Sequence, residues 1–204
     1  MDIETLNNWE PKENESFNTY NDTLINYDSK EEEWAKWWGI DWIRASLPGY
    51  TPGGNTDISM NLSGLPDIKT ETTEAVNLPP ILTRKWAKDE AQNNSKWIIP
   101  ASIKYRQDLG LSPSDYIVTW LSSWVEEFGI DGFRADTAKH IEPEIFLKLK
   151  EKSNIALKTW RLNNLDSPGA SWSEDFFITA EVYGQGTDNN YYYDNGFDSV
   201  IIPY

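Results

Sequence analysis

The run F-G-I-D-G-F-R-A-D-T-A-K-H, from Phe128 to His140, leaves a chain little freedom in how it folds. Its first half reads as a helix end, a glycine stop and a short apolar strand over Ile130 to Ala135. Its second half places Arg134, Asp136, Lys139 and His140 at that strand's carboxyl end, the end where α/β folds carry chemistry. Arg134 and Asp136 are two residues apart, so on a strand both side chains leave the same face. The preceding helix is well punctuated: Ser112 suits the cap, Pro113 the first helical position and Asp115 the first turn. Ile117, Trp120, Leu121, Trp124, Val125 and Phe128 then recur at the spacing of one helical face, and Gly129 ends it. An Arg and an Asp at this spacing are most often a structural ion pair. A carboxylate followed by Thr, Lys and His at a strand end points instead to a site.

Downstream, Pro143 fits the first turn of a second helix whose stripe of Ile145, Phe146, Leu149, Ala156, Leu157 and Trp160 runs to about Leu162. Phe176 to Ala180 then reads as a buried strand ending on Glu181. Strand, helix and parallel strand make a βαβ unit, which brings both carboxyl ends to one edge of the sheet. Asp136 and Glu181 are therefore expected to be neighbours by topology. Phe197 to Pro203 reads as a third strand, reached with little intervening helix. The Y-G-Q-G around Gly184 and Gly186 lacks the rest of a phosphate-loop pattern.

The first half is different in kind. Residues 1 to about 30 are polar and Asn-rich, a short helix is expected over Ser29 to Trp38 with Gly39 as its stop, and Trp42 to Lys69 is rich in turns at Pro48, Gly49, Pro52, Gly53 and Gly54. Glu71 to Pro100 is polar, broken by Pro79 and Pro80, with a short helix expected over Thr83 to Gln92. Eight of the eleven prolines lie at or before Pro113, which marks a boundary between a loop-rich lobe over 1–104 and a second segment over 105–204. Most of the eleven Trp are expected in the core, with exposed rings favoured in the loop-rich half.

Charge and composition exclude several classes of function. With 18 Lys and Arg against 33 Asp and Glu the net charge is −15, which argues against nucleic acid and anionic membrane as partners. There is no Cys, hence no disulfide framework. No run of about 18 apolar residues occurs, so no membrane span is expected. The start, M-D-I-E-T-L-N-N-W-E, has neither the basic beginning nor the apolar centre of a signal peptide. At 204 residues the chain is shorter than the roughly 250 a closed (β/α)8 barrel takes.

Three segments carry a resemblance to a known family. G-I-D-G-F-R-A-D-T-A-K-H resembles the second signature of the α-amylase family of glycoside hydrolases, at the end of the fourth strand of a (β/α)8 barrel. F-F-I-T-A-E-V-Y-G, Phe176 to Gly184, resembles the third signature on the fifth strand, and S-G-L-P-D-I-K-T-E, Ser63 to Glu71, the Leu-Pro-Asp signature of the domain inserted after the third. The three stand in the family's order. Two longer pieces, W-W-G-I-D-W-I-R and Y-Y-Y-D-N-G-F-D-S-V-I, are similar to its bacterial periplasmic group.

The resemblance implies an α/β fold: a partial (β/α)8 barrel around strands 4 to 6 with a loop-rich inserted domain before it. It implies retaining hydrolysis of α-1,4-glucosidic bonds in starch, glycogen or maltodextrins by a periplasmic or secreted monomer. Asp136 would be the nucleophile and Glu181 the acid and then the base, two carboxylates that a retaining enzyme holds about 5 Å apart. Arg134 is expected to keep Asp136 ionised, and desolvation at the end of an apolar strand to help Glu181 hold its proton. Lys139 and His140 match positions that contact the sugar on the leaving-group side. Asp67 and the His140 carbonyl match calcium ligands. The family's first and fourth signatures each need a His, and this chain's single His is already used in the second. The resemblance therefore implies a central fragment, missing the mature protein's beginning, marginally folded and inactive alone. A related α-glucan transglycosylase or trehalose-forming isomerase would share all three signatures, and a short, non-catalytic protein that binds α-glucan through its aromatic loops is the alternative from a different class.

Overall fold

The computed structural model describes residues 39, 41–45, 67–91, 100–184, 186, 188 and 190–202. The expected irregular start, the helix over Ser29 to Trp38 and the turns between 46 and 66 lie outside the described residues. Among the described residues there are two sheets. Strands β1 (Ile43–Ala45) and β2 (Asp67–Ile68) form an antiparallel pair, and β3 (Gly132–Ala135), β4 (Phe177–Glu181) and β5 (Ser199–Ile201) form a parallel sheet in that order. Helices α1 (Pro80–Ala91), α2 (Pro100–Ile103) and α3 (Pro113–Phe128) precede β3, α4 (Pro143–Asn163) joins β3 to β4, and the single turn α5 (Tyr191–Asp194) precedes β5. The arrangement is α/β with parallel strands.

The ends of α3 form for the reasons its sequence suggests. The Ser112 hydroxyl accepts the Asp115 N–H at 3.3 Å, satisfying a donor that has no partner inside the helix. Gly129 adopts φ 64°, the left-handed turn only glycine takes at no steric cost, and its N–H returns to the Val125 carbonyl at 2.9 Å. A Cβ there would fall into the Trp160 indole of α4, so the same glycine also sets how closely the two helices approach.

The buried face of α3 is not the one its apolar spacing marks. Val118, Thr119, Ser123 and Val125 are buried, whereas Leu121, Trp124 and Phe128 are exposed. The reason is size. Small buried residues on both helices, Ser123 on α3 and Ser153 on α4, let the backbones pack closely, and the bulky rings are displaced to the flank, where Trp124 and Phe128 touch each other at 5.8 Å. Helix α1 also begins earlier than expected, because Pro80 starts it rather than breaking it.

The main core lies between the parallel sheet and the pair α3 and α4. Phe176, Ile178, Ala180 and Val182 alternate toward Val118, Val125, Ile145, Phe146, Leu149 and Leu157. The intervening residues of β4, namely Phe177, Thr179 and Glu181, face the other way together with Arg134, and Phe177 is exposed. Parallel sheets are normally covered on both faces; among the described residues this one is covered on one.

A second cluster ties the loop-rich half to α3. Trp42, Ile43, Val76 and Tyr116 are buried together, with Trp120 stacked on Trp42 at 5.8 Å and the Trp42 indole N–H donating to the Asn77 carbonyl at 2.7 Å. The expectation that first-half rings are exposed fails at Trp42. Its indole has both an apolar body and a satisfied donor inside the cluster.

Candidate functional site

The site is built by strand register. Ala135 of β3 pairs with Ala180 of β4 in a parallel ladder, so one residue further on each strand places Asp136 beside Glu181 at the carboxyl edge. Neighbouring strands lie about 4.8 Å apart, which brings the two carboxylates into one small region. The topology expected for this pair is therefore the topology found. β5 continues the edge, with Glu181 aligned to Ile201.

Arg134 stands between the two acids. Its guanidinium donates to Glu181 Oε2 at 2.5 Å and lies 3.9 Å from Asp136 Oδ2. The side chains are 51% exposed at Arg134, 68% at Asp136 and 26% at Glu181, so Glu181 is the more sheltered acid. The pairing anticipated from spacing, Arg134 with Asp136, is the looser of the two. Because β3 ends at Ala135, Asp136 has already left the pleat, and the guanidinium reaches across to the neighbouring strand instead.

The backbone after Asp136 is unusual. Thr137 takes φ 48°, and among the described residues it is the only one other than glycine with positive φ. A β-branched residue in this region is strained, and such strain persists only where surrounding contacts hold it. It redirects the chain into a single 3-10 turn, Ala138–His140, closed by the His140 N–H on the Thr137 carbonyl at 3.0 Å. Both Lys139 and His140 ride on this turn and are partly buried. The Lys139 ammonium lies over the Tyr183 ring at 5.9 Å. Tyr183, two residues past Glu181 and largely exposed, was not singled out by sequence reasoning, although E-V-Y-G carries it directly after the acid.

Asp67 opens β2, partly buried, in register with Ala45. In the segment it begins, the Thr70 hydroxyl donates to Glu142 Oε2 at 2.5 Å, two residues beyond His140. The structure thus brings Arg134, Asp136 and Glu181 together, sets Lys139 and His140 on the adjoining turn, and ties the strand-end of Asp67 to the far side of that turn. Neither Thr70 nor Glu142 was visible as a partner from sequence, because they lie 72 residues apart.

No family model matches the chain. Among curated proteins it is similar to the periplasmic α-amylase of Escherichia coli (strain K12), with 38% identity over 198 residues. The chain resembles a periplasmic α-amylase. The matched stretch is 97% of this chain and 26% of the relative, so the chain spans about a quarter of that amylase's length. No helix among the described residues is long and apolar enough to cross a membrane.

The resemblance implies calcium. Calcium takes six to eight oxygen ligands. Among the described residues no group of three or more His, Cys, Asp or Glu side chains converges. Asp67 and the His140 carbonyl would supply two of those oxygens, and no chemical step is assigned to the ion.

Proposed function

We propose that this chain is part of a retaining α-glucan hydrolase of the α-amylase type, cutting α-1,4-glucosidic bonds in starch, glycogen or maltodextrins. The observation that carries the proposal is the register Ala135 with Ala180, which sets Asp136 and Glu181 side by side on parallel strand ends. Two carboxylates so placed can divide the work of glycoside cleavage. Asp136, the more exposed, attacks the anomeric carbon and forms the glycosyl-enzyme bond as the glycosidic C–O bond breaks. Glu181 gives its proton to the departing oxygen, then takes one from the water that releases the sugar. Arg134 orients both carboxylates, and Lys139 and His140 hold the leaving-group sugar.

The similarity to a periplasmic amylase supports the substrate class and a periplasmic location, and the parallel sheet with its helices on one face supports part of a (β/α)8 barrel. We place the barrel segment at residues 105–204 and the inserted lobe at residues 1–104. Calcium at Asp67 and His140 is proposed on the resemblance alone. We further propose that residues 1–204 alone turn over no substrate, since a catalytic set acting as a unit loses most of its rate with one member gone.

The test uses the protein as its source produces it, incubated with maltoheptaose and followed by NMR of the anomeric protons. Shorter maltooligosaccharides with retained α configuration, lost in Asp136→Asn and in Glu181→Gln, are expected. Inverted products, or hydrolysis that survives both substitutions, would overturn the assignment. Transfer products without hydrolysis would turn it to a transglycosylase. For the isolated 204 residues, starch hydrolysis that vanishes in Asp136→Asn would refute the claim of inactivity.

A further inference from the structure

Glu142 occupies a position whose ordinary use it declines. It stands at the N-cap of α4, where Ser, Thr, Asp or Asn would bind the free N–H groups of the first turn, and its side chain makes no capping hydrogen bond. Its carboxylate instead accepts the hydroxyl of Thr70. Glutamate is a poor cap because its extra methylene carries the carboxylate past those N–H groups; the same length lets it reach another segment.

Both ends of this bond are held firmly. Thr70 follows Lys69, whose N–H donates to the Trp42 carbonyl at 2.8 Å, and its own N–H donates to Ile68 at 2.8 Å. Trp42 is locked against Tyr116 and Trp120 of α3. Glu142 opens α4, whose Ile145, Phe146 and Leu149 lie in the main core. Between Asp136 at the end of β3 and Glu142 runs only the turn of Thr137 to Ile141, which contains the strained Thr137 and presents Lys139 and His140. A donor fixed on α3 through Trp42 and an acceptor fixed on α4 thus bracket the far end of that turn.

We propose that the Thr70–Glu142 hydrogen bond is a strut that sets the turn carrying Lys139 and His140 against Asp136, making Thr70 and Glu142 positioning residues for the site. The strut rests on the α-glucan reading only in what the positioned residues are for.

The chain's single histidine makes this testable, since the imidazole C–H signals in an NMR spectrum belong to His140 and nothing else. Thr70→Val removes the hydroxyl at nearly constant shape, Thr70→Ser keeps it, and Glu142→Asp shortens the reach while giving α4 a better cap. Spectra are compared at one pH and one calcium concentration, with melting temperature and maltoheptaose affinity measured alongside. The strut predicts a displaced His140 signal and about ten-fold weaker maltoheptaose binding in Thr70→Val and Glu142→Asp. It predicts a near-native signal and affinity in Thr70→Ser, and no loss of melting temperature in Glu142→Asp. An unmoved His140 signal in both Thr70→Val and Glu142→Asp would overturn the proposal. So would a Glu142→Asp variant that melts early with native affinity, because the residue would then serve only the helix. A displaced His140 signal in a protein that binds no maltoheptaose even as wild type would keep the strut and remove the glucan reading. If Thr70→Val fails to fold, Glu142→Asp decides alone.

Discussion

Replacing Gly129 by alanine tests the way α3 and α4 are fitted together. Two costs act at once. The left-handed backbone at φ 64° penalises a Cβ by about 1–2 kcal/mol. The new Cβ would also lie within the Trp160 indole, far inside the 3.5–4.0 Å at which carbon atoms rest, and forcing a group into an occupied position costs about 1–3 kcal/mol. The sum is about 2–5 kcal/mol, with the lower part applying if the partly buried Trp160 swings aside. Gly110 supplies the control. Its φ of 62° is nearly the same, but a Cβ there meets nothing within 4 Å, so Gly110→Ala carries the backbone term alone. Urea unfolding of the two variants should differ by about 1–3 kcal/mol, with the m-value unchanged. Adding Trp160→Ala to Gly129→Ala should recover that difference in a double-mutant cycle. Equal losses at Gly110 and Gly129, or a cycle with no coupling, would refute the steric argument.

Four further outcomes are expected. Tyr116→Phe should cost about 1–2 kcal/mol in urea unfolding, because the hydroxyl that accepts the Leu109 N–H at 2.7 Å and donates to Asp108 at 3.0 Å is lost from a fully buried ring. The same pair makes stability depend on pH at both ends. The Gly110 N–H and then the Tyr116 hydroxyl hold Asp108 below the usual carboxylate range, so that contribution is complete above the unfolded value near 3.8 and is lost as pH falls through the lower folded value. Burial pushes Tyr116 above its ordinary 10.0, so its contribution is complete below pH 10 and lost as pH rises; melting temperatures of Asp108→Asn and Tyr116→Phe across pH should flatten the acid and alkaline limbs respectively. Ser112→Ala should lose about 1 kcal/mol by circular dichroism melting, through the uncapped Asp115 N–H. Arg161→Met should cost about 2 kcal/mol in urea, since the buried guanidinium binds the Glu174 carbonyl at 2.7 Å and Asp131 at 3.0 Å, while Asp131 is half exposed and can turn to water.

Much of the second half could be read directly. Ser112, Pro113 and Gly129 bound α3 by chemistry acting within four residues, and the strand, helix and strand from Gly132 to Glu181 leave a parallel pairing as the natural outcome. The contacts that were not legible are those decided by size or by distance along the chain. An apolar period marks Trp124 and Phe128 as readily as Val125, and only close packing between α3 and α4 selects the smaller residues for the interior. The β1–β2 pair escaped notice because its two short strands are separated by a turn-rich stretch with no alternation to announce them. Trp42 was misjudged by its surroundings in sequence, when its surroundings in space are Tyr116 and Trp120, more than 70 residues away.

The candidate site divides along the same line. Strand register fixes which residues stand side by side, and it does so from a pattern of period two that any reader of the sequence can follow. It does not fix where the first residue beyond the strand points. Asp136 is that residue, and its direction is set by the left-handed Thr137 behind it and the turn that Thr137 begins. Arg134, still inside the pleat, therefore meets Glu181 across the ladder more closely than Asp136 along its own chain. The distance between the guanidinium and the proposed nucleophile is consequently governed by the turn, and the turn's far end is held by a threonine from the other half of the chain. In this arrangement the sheet register sets Asp136 and Glu181 side by side, and the proposed Thr70–Glu142 strut acts on the turn behind Asp136. Variants of Thr70 should therefore alter Asp136 more than Glu181, although Thr70 lies on neither strand.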